Sequence, residues 1–296
     1  MEKMKTDDTL VAAPIFFIFC YARSGGTLLN RCLSNIDNLI VLSEVHPIND
    51  VVDRGTPSVS VAWQVKKWYD INLHGTGYLE QIRELKEWCD NHGKYLVVRD
   101  WSFIDFTPNP LNNYQPSRKP SGFILLEKNF CVKSVAFVRD GVDVALSQGN
   151  SIKVFADAYL DYINFLVNQQ VEIFKYESFC DNPDVTFRSI GESLEIPDSS
   201  SWVFLVDSDR VIGDTNISRG NMKSTVFKIK RKYILPFLRS EIDGSEGISH
   251  ANRLLGYPIG YESTERDSIL ETFTFWISKK VKKVGVMMKF KDGVLG

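Results

Sequence analysis

Short apolar runs alternate with amphipathic stretches along most of the chain. The apolar runs are rich in β-branched and aromatic residues, as buried strands are, and the amphipathic stretches repeat their apolar residues with helical spacing. The pattern predicts strands at 15–20, 39–42, 95–98, 132–138 and 171–174, and helices from 27, at 62–71 and 78–91, from 142, and at 155–168 and 184–194. Strands that alternate with helices predict an α/β fold, in which a mostly parallel central sheet is flanked by helices in a three-layer sandwich.

The first strand runs into a loop of small residues, 22–26 (ARSGG), and Thr27 opens the helix behind it. The first N–H groups of a helix lack intrahelical acceptors and the helix dipole is positive at that end, so such a junction binds anions. Two glycines let the backbone curl and approach a ligand closely. Because an arginine and two hydroxyls exceed what a helix cap needs, we interpret this stretch as a phosphate-binding loop.

Polar residues also stand at the ends of the other predicted strands, namely Glu44, Arg99, Arg139 and Tyr176. In open parallel sheets, ligands bind beyond the carboxyl ends of the strands, so these residues should converge on one crevice with Arg23. Three arginines and one carboxylate predict a site for a multiply anionic ligand with a base beside it. Phosphoryl and sulfuryl transfer require such a combination.

Composition narrows the classes of partner and compartment. The 296-residue chain has a net charge of −2, so it lacks the basic excess of a general nucleic-acid binder and no nucleic-acid partner is expected. Its five cysteines are scattered and never form a C-x-x-C pair, which disfavours a disulfide framework or a zinc site and favours a reducing cytoplasm. Asp7 and Asp8 disfavour a signal peptide, and no apolar run is long enough to span a membrane.

The last part of the chain differs from the rest. We predict a main domain at 1–265 and a basic amphipathic helix or tail at 266–296, with lysines clustered at 279–283. Such a cluster is usually a solvated helix face, and peripheral contact with an anionic membrane surface or a protein partner is the alternative. Oligomeric state has no signature in the sequence.

Two other enzyme classes fit the loop less well. A nucleoside-triphosphate kinase or NTPase carries G-x-x-x-x-G-K-[ST], whereas here Gly26 is followed by Thr27 without a lysine. A serine hydrolase needs several strands before its nucleophile elbow, whereas Ser24 follows only one. A nucleotide-binding regulatory module without turnover is a third alternative, and an intact Glu44 argues against it.

Two motifs together resemble sulfotransferases that use 3′-phosphoadenylyl sulfate (PAPS). The loop 23–27 (RSGGT) is similar to their 5′-phosphosulfate loop in its arginine variant, and 138–147 (VRDGVDVALS) resembles their 3′-phosphate segment. The segment 218–220 (SRG) is similar to the one that closes over the 3′-phosphate. The motifs are closest to the branch with a glutamate base, as in tyrosylprotein and bacterial carbohydrate-type sulfotransferases. The resemblance implies a P-loop NTPase-like fold and PAPS as donor without a required metal. The acceptor it implies is the hydroxyl of a small molecule or glycan, whether a sugar, a lipid or another alcohol.

The resemblance also implies a role for each matching residue. Catalysis is expected to use Glu44 as the base for the acceptor hydroxyl, Arg23 at the leaving oxygen, and Arg99 as a further cation. Binding of the donor is expected from Arg23, Ser24, Gly25, Gly26, Thr27, Arg139, Ser147, Tyr176, Arg219 and Gly220. Because another branch uses a histidine base, His46 is a competing candidate. Some members carry a second arginine where this chain has Ser151, and Lys153 is the nearest cation in sequence.

Overall fold

The computed structural model describes residues 13–50, 60–108, 116–148, 151–206, 210, 226, 228, 231 and 234–261. Within this part of the chain, one parallel sheet contains β1 (Ile15–Phe19), β2 (Leu39–Val45), β3 (Tyr95–Asp100), β4 (Val132–Val138) and β5 (Glu172–Lys175). The strands lie in the order β2-β3-β1-β4-β5. The predicted parallel α/β sheet is confirmed, and the strand before the phosphate-binding loop lies at its centre.

Helices cover both faces of the sheet. They are α1 (Gly26–Leu33), α2 (Val61–Tyr69), α3 (Tyr78–Asn91), α4 (Phe103–Phe106), α5 (Ser121–Glu127), α6 (Gly141–Gln148), α7 (Ile152–Asn168), α8 (Tyr176–Asp181), α9 (Pro183–Ser193), α10 (Pro236–Asp243) and α11 (Glu246–Leu254). Side chains of α3, α5, α7 and α11 share one apolar cluster with Phe17 and Phe19. Side chains of α1, α8 and α9 share the other cluster with Phe16 and Ile18. Alternate residues of β1 thus enter the two cores, which explains why its sequence is continuously apolar.

β2 lies at the edge of the sheet, and side chains of α2 form hydrogen bonds with the backbone along its outer side. Gln64 accepts a hydrogen bond from Ser43 N–H (2.8 Å) and donates one to Ser43 C=O (2.7 Å). The Tyr69 hydroxyl does the same for Val41, at 2.9 Å from its nitrogen and 3.2 Å from its oxygen. An unpaired strand edge invites pairing with other chains, so these contacts satisfy backbone groups and also fix the end of β2 that carries Glu44.

The structure differs from the sequence prediction mainly in short helices. Two short helices lie where the sequence predicted none, since α5 begins at Ser121 and α8 begins at Tyr176, directly after β5. The helices α10 and α11 were not predicted either. Helices of six or seven residues, such as α8 and α5, are shorter than the window in which helical periodicity can be recognised.

Some predicted features lie outside the described residues. They are Arg219, Gly220 and the whole C-terminal segment at 266–296 with its lysine cluster. Within the described part of the chain, no helix is both long and apolar enough to cross a membrane.

Candidate active site

The loop that was predicted to bind phosphate, 22–26, has a strongly curled backbone. Gly25 caps α1 in the left-handed conformation with φ 93°, and Arg23 also has a positive φ of 74°. Ser24 N–H donates to Tyr21 C=O over 3.1 Å, which closes the turn between them. A left-handed residue other than glycine costs about 1 kcal/mol, and such strain is concentrated at functional sites. The strained residue here is the arginine that the sequence placed in catalysis.

Both glycines of the loop are required by side chains packed against them. A Cβ at Gly25 would lie 2.4 Å from Cδ2 of Tyr176, and one at Gly26 would lie 2.7 Å from Nη1 of Arg99. The sequence argument attributed these glycines to the approach of a ligand. The structure adds a second reason, because the Tyr176 ring and the Arg99 guanidinium approach the loop backbone too closely for any side chain.

The two motifs that the sequence singled out lie side by side. Nε of Arg23 in the loop donates to Oγ of Ser147 in α6 over 2.9 Å. Nη1 of Arg139, at the end of β4, lies 3.5 Å from the Arg23 carbonyl oxygen. Strands β1 and β4 are neighbours, so the ends of both strands present their arginines to one crevice.

Arg139 contacts several neighbours, but one of its hydrogen-bond donors has no partner among the described residues. Its guanidinium lies over the Tyr176 ring at 4.8 Å from the centroid, and Tyr159 donates a 2.6 Å hydrogen bond to its carbonyl oxygen. Its Nε is buried and has no hydrogen-bond partner among the described residues. Oγ of Ser24 is likewise buried and unpartnered within the described part of the chain. Buried polar groups in native proteins are normally paired, so both atoms indicate a site that a polar ligand completes.

The β2–β3 side of the site carries the carboxylate. Glu44 lies at a register shift of β2 with a positive φ of 55°, and its side chain is 24% exposed. Arg99 is 2% exposed and donates from Nη1 to Glu44 Oε1 at 3.2 Å. Nε of Arg99 donates to Oδ1 of Asn30 at 3.0 Å, and Nη2 donates to Oγ of Ser43 at 2.5 Å. Three partners therefore hold the guanidinium in one orientation toward the carboxylate.

His46, the competing base, belongs to a separate buried network. Its Nδ1 accepts from Ile48 N–H at 3.1 Å, and its Nε2 lies 2.9 Å from Oδ2 of Asp105 and 3.1 Å from Oγ of Ser121. The Nδ1 contact assigns the ring proton to Nε2, which donates to Asp105. Both ring nitrogens are engaged, and the residue is 1% exposed.

Asp100 lies near this network and is also buried. Burial raises the pKa of Asp100 from its ordinary value of 3.8 to about 6, although the His46 ring opposes the shift. Its Oδ2 accepts from Ser102 Oγ at 2.8 Å, while its Oδ1 has no hydrogen-bond partner among the described residues. The carboxylate is thus held in an environment that disfavours its charge.

The structure brings together most of the predicted site residues. Arg23, Ser24, Gly25, Gly26, Arg139, Ser147 and Tyr176 surround the loop, Thr27 lies in the first turn of α1, and Glu44 and Arg99 lie on the adjacent strand ends. Ser151 and Lys153 are exposed, at the start of α7. Ser151 occupies the N-cap position of that helix but makes no capping hydrogen bond with its side chain.

Sequence reasoning missed Asn30, Ser43 and Gln64. Asn30 lies on the buried face of α1, one turn after Gly26, and Ser43 interrupts the apolar run of β2. A polar residue at a position that the hydrophobic pattern assigns to the core is a usable signal. It identifies the position, but the partner of the side chain comes only from the fold.

A second cavity lies away from this constellation. It has a volume of about 410 Å³, and Leu39, Ile40, Trp68, Trp88, Lys94 and Arg210 are among its lining residues. Leu39 and Ile40 begin β2, so the cavity is at the amino end of the sheet, opposite to Glu44. Trp68 therefore faces a region other than the strand ends that carry Glu44 and Arg99. Among the described residues, no group of three His, Cys, Asp or Glu side chains is arranged to hold a metal ion.

Two solved structures share this architecture. A sulfotransferase domain from the curacin biosynthetic pathway matches with a TM-score of 0.51 and 15% identity, over 83% of this chain and 98% of its own length. A sulfotransferase domain from the olefin synthase of Synechococcus PCC 7002 matches with a TM-score of 0.51 and 12% identity, over 87% of this chain and 99% of its own length. No family model and no curated protein matches the chain. The chain has the fold of these sulfotransferase domains, as the two motifs implied.

Proposed function

We propose that this protein is a sulfotransferase that moves a sulfuryl group from PAPS to a hydroxyl acceptor. The observation that carries the proposal is the 2.9 Å hydrogen bond from Arg23 to Ser147, which joins the phosphate-binding loop to the segment headed by Arg139. Two anion-binding elements are thereby adjacent but distinct. A nucleotide with a 5′-phosphosulfate and a separate 3′-phosphate has the charge distribution that such a pair of elements recognises.

The unpartnered atoms fit a donor of this kind. The Ser24 hydroxyl, the loop N–H groups and Thr27 would hold the 5′-phosphate, where the α1 dipole adds positive charge. Nε of Arg139 and the Ser147 hydroxyl would bind the 3′-phosphate, with Arg219 and Gly220 as further candidates. The Tyr176 ring, which lies against both Gly25 and Arg139, offers an apolar face between the two phosphates. When bound, PAPS supplies an activated sulfuryl group.

In an in-line transfer, the attacking acceptor oxygen and the leaving oxygen of the donor lie on opposite sides of sulfur, and different side chains would act on each. Glu44 accepts the proton of the acceptor hydroxyl as the oxygen of that hydroxyl bonds to sulfur. Arg23 stabilises the negative charge that develops on the bridging oxygen as its bond to sulfur breaks. Arg99 keeps the Glu44 carboxylate directed into the crevice. The products are a sulfate ester and adenosine 3′,5′-bisphosphate.

Glu44 is a better candidate for the base than His46. Its carboxylate is partly exposed at the mouth of the site, whereas His46 is buried with both ring nitrogens bonded inside the protein. A general base must reach the proton that it removes. His46 instead has the geometry of a residue that supports the end of β2.

The acceptor side is proposed to lie beyond the ends of β2 and β3. Trp101 follows β3 there, and its backbone N–H donates to the Val45 carbonyl at 3.3 Å. A partly buried indole directly after this strand end suits a sugar, a lipid or another alcohol, since apolar walls with few polar groups are usual in such sites. A screen of hydroxyl compounds with labelled PAPS would identify the acceptor class.

Calorimetry and turnover test the proposal together. Wild-type protein should bind adenosine 3′,5′-bisphosphate more tightly than ATP–magnesium, and a preference for ATP–magnesium would exclude the PAPS assignment. Glu44→Gln should reduce turnover by about 100-fold or more while donor binding persists. His46→Ala serves as the comparison. If it abolishes turnover in folded protein while Glu44→Gln remains active, Glu44 is not the base.

A further inference from the structure

Two buried carboxylates lie next to Arg139, and Arg231 contacts both. Nε of Arg231 donates to Oδ1 of Asp143 at 2.8 Å, and its Nη2 forms an ion pair with Oδ2 of Asp140. The side chains of the three residues are 7–11% exposed. A buried carboxylate is costly unless a cation and hydrogen bonds compensate it, so Arg231 supplies charge that both acids need.

Asp143 lies between Arg231 and Arg139 and is closer to Arg231. Its Oδ1 receives the hydrogen bond from Arg231, whereas its Oδ2 lies 3.6 Å from Nη2 of Arg139, beyond hydrogen-bonding distance. Asp140 makes its remaining bonds elsewhere, since its Oδ1 accepts from Val142 N–H at 2.9 Å and from Asn252 at 3.0 Å. Only Asp143 is therefore placed to alternate between Arg139 and Arg231 within this group of four residues.

Arg139 keeps donor capacity because of this arrangement. Its Nε is buried without a partner among the described residues, and its Nη1 contact to the Arg23 carbonyl is long, at 3.5 Å. Without Arg231, the group would contain two carboxylates and one guanidinium. Asp143 would then turn to Arg139 and occupy the donors that a phosphate requires, because carboxylate and phosphate compete for the same planar fork.

We infer that Arg231 is a positioning residue that sets the affinity for the nucleotide 3′-phosphate by holding Asp143 away from Arg139. The inference rests on the proposed function, since it assumes a ligand whose 3′-phosphate meets Arg139. It assigns a binding role to a residue of the segment after Val226 that has no counterpart among the motifs of the sequence. Arg231 itself need not touch the ligand.

A double-mutant cycle on Arg231 and Asp143 tests the inference. Binding of adenosine 3′,5′-bisphosphate and of adenosine 5′-monophosphate is measured by calorimetry for wild type, Arg231→Met, Asp143→Asn and the double variant. Arg231→Met should weaken the bisphosphate by about tenfold or more and the monophosphate little. Asp143→Asn should tighten the bisphosphate only about twofold in the wild-type background, but about tenfold in the Arg231→Met background, because only there is Asp143 free to occupy Arg139.

The pattern of coupling separates this explanation from simple charge effects. Long-range electrostatics alone predicts the same effect of Asp143→Asn in both backgrounds, and that additive result would overturn the inference. Equal weakening of both nucleotides by Arg231→Met would also overturn it. If wild type does not prefer the bisphosphate over the monophosphate, the proposed function fails first, and the two failures are distinguishable.

Matched variants keep the test interpretable. Arg239, like Arg231, lies over the Tyr261 ring, and it pairs with an aspartate, Asp243, at 3.5 Å. It is half-exposed and makes no contact with Arg139 or Asp143 among the described interactions. Arg239→Met should leave both affinities unchanged. If Arg231→Met fails to fold, the double variant, in which one of the two carboxylates is neutralised, and Arg231→Lys provide the comparison. Arg231→Lys should weaken bisphosphate binding by about threefold, because a point charge holds Asp143 less firmly than a guanidinium fork, whereas the double variant should bind about as tightly as wild type. Unchanged affinity in Arg231→Lys, or a double variant about tenfold weaker than wild type, would contradict the inference.

Discussion

The two sides of the crevice differ in how their polar groups are satisfied. On the β2–β3 side, each nitrogen of Arg99 has a protein partner, in Asn30, Ser43 or Glu44. On the β1–β4 side, Oγ of Ser24 and Nε of Arg139 are buried without partners among the described residues. A group that must act in one orientation is best held by the protein itself, whereas a group that binds a ligand must keep capacity for it. The comparison therefore assigns preorganised chemistry to one side and ligand binding to the other.

Substitution of Arg99 should have the largest effect on both stability and turnover, because this residue orients the β2–β3 side of the site. Arg99→Met leaves Asn30, Ser43 and Glu44 without their shared donor, and removing one member of a buried charged pair costs roughly 3–5 kcal/mol. Urea denaturation should show this loss of stability, and steady-state kinetics should show a fall in kcat of about 100-fold as Glu44 loses its orientation. Normal turnover in a stable variant would contradict the preorganised role of this residue.

Substitution of Asn30 should also lower stability and kcat, but by less than substitution of Arg99. Asn30→Ala leaves Nε of Arg99 unpaired in the core, with an expected loss of roughly 1–3 kcal/mol, and kcat should fall by about tenfold as the guanidinium reorients. The KM for the donor should change little. Asn35→Ala, just after the end of the same helix, is the control, because the Asn35 side chain bonds only backbone oxygens of Arg31 and Leu205 among the contacts described. Equal effects of the two variants would remove the special role of Asn30.

Ser24 and Ser43 offer a direct contrast between the two sides. Ser24→Ala removes a buried hydroxyl without a partner, so stability should be unchanged or increased, while the Kd of adenosine 3′,5′-bisphosphate should rise by about tenfold. Ser43→Ala should do the opposite, with stability lowered by roughly 1–2 kcal/mol and nucleotide affinity retained. Calorimetry and urea titrations on the pair measure both quantities. The comparison fails if both variants change stability and affinity in the same direction.

Asp100 should produce the smallest effect, and one that depends on pH. Burial raises its pKa from 3.8 to about 6 in the folded state, so the folded protein binds more protons than the unfolded chain between these values. Stability from this group therefore increases as pH falls through 6 and is lost as pH rises. Between pH 7.5 and pH 5.5, protonation of Asp100 should raise the free energy of unfolding by about 1 kcal/mol. Asp100→Asn should remove this part of the pH dependence of unfolding, and an identical slope in wild type and variant would refute the buried, neutral carboxyl.

Much of the fold followed from local pattern. The five strands and the longer helices were recognisable because each is long enough to show its period, and the strand β4 and helix α3 have the predicted bounds. The helices α4, α5 and α8 were not recognised, since four to seven residues are too few for that signal. The helices α10 and α11 were missed although they are as long as α1 and α6, which directly follow recognisable strands. The residues of α11 matter to the site nonetheless, because Asn252 bonds both Gly141 N–H and Asp140.

The sequence by itself determined that a glycine-containing loop joins a buried strand to a helix and that arginines and a glutamate stand at neighbouring strand ends. Those features are local, and the rule that parallel strands end at one edge of the sheet brings them together. The tertiary structure alone decided that Arg99 bonds Asn30 and Ser43, that His46 is enclosed, and that Arg231 shares Asp143 with Arg139. Such contacts join residues far apart in sequence, and the spacing of residues along a chain contains no information on which distant side chains will meet.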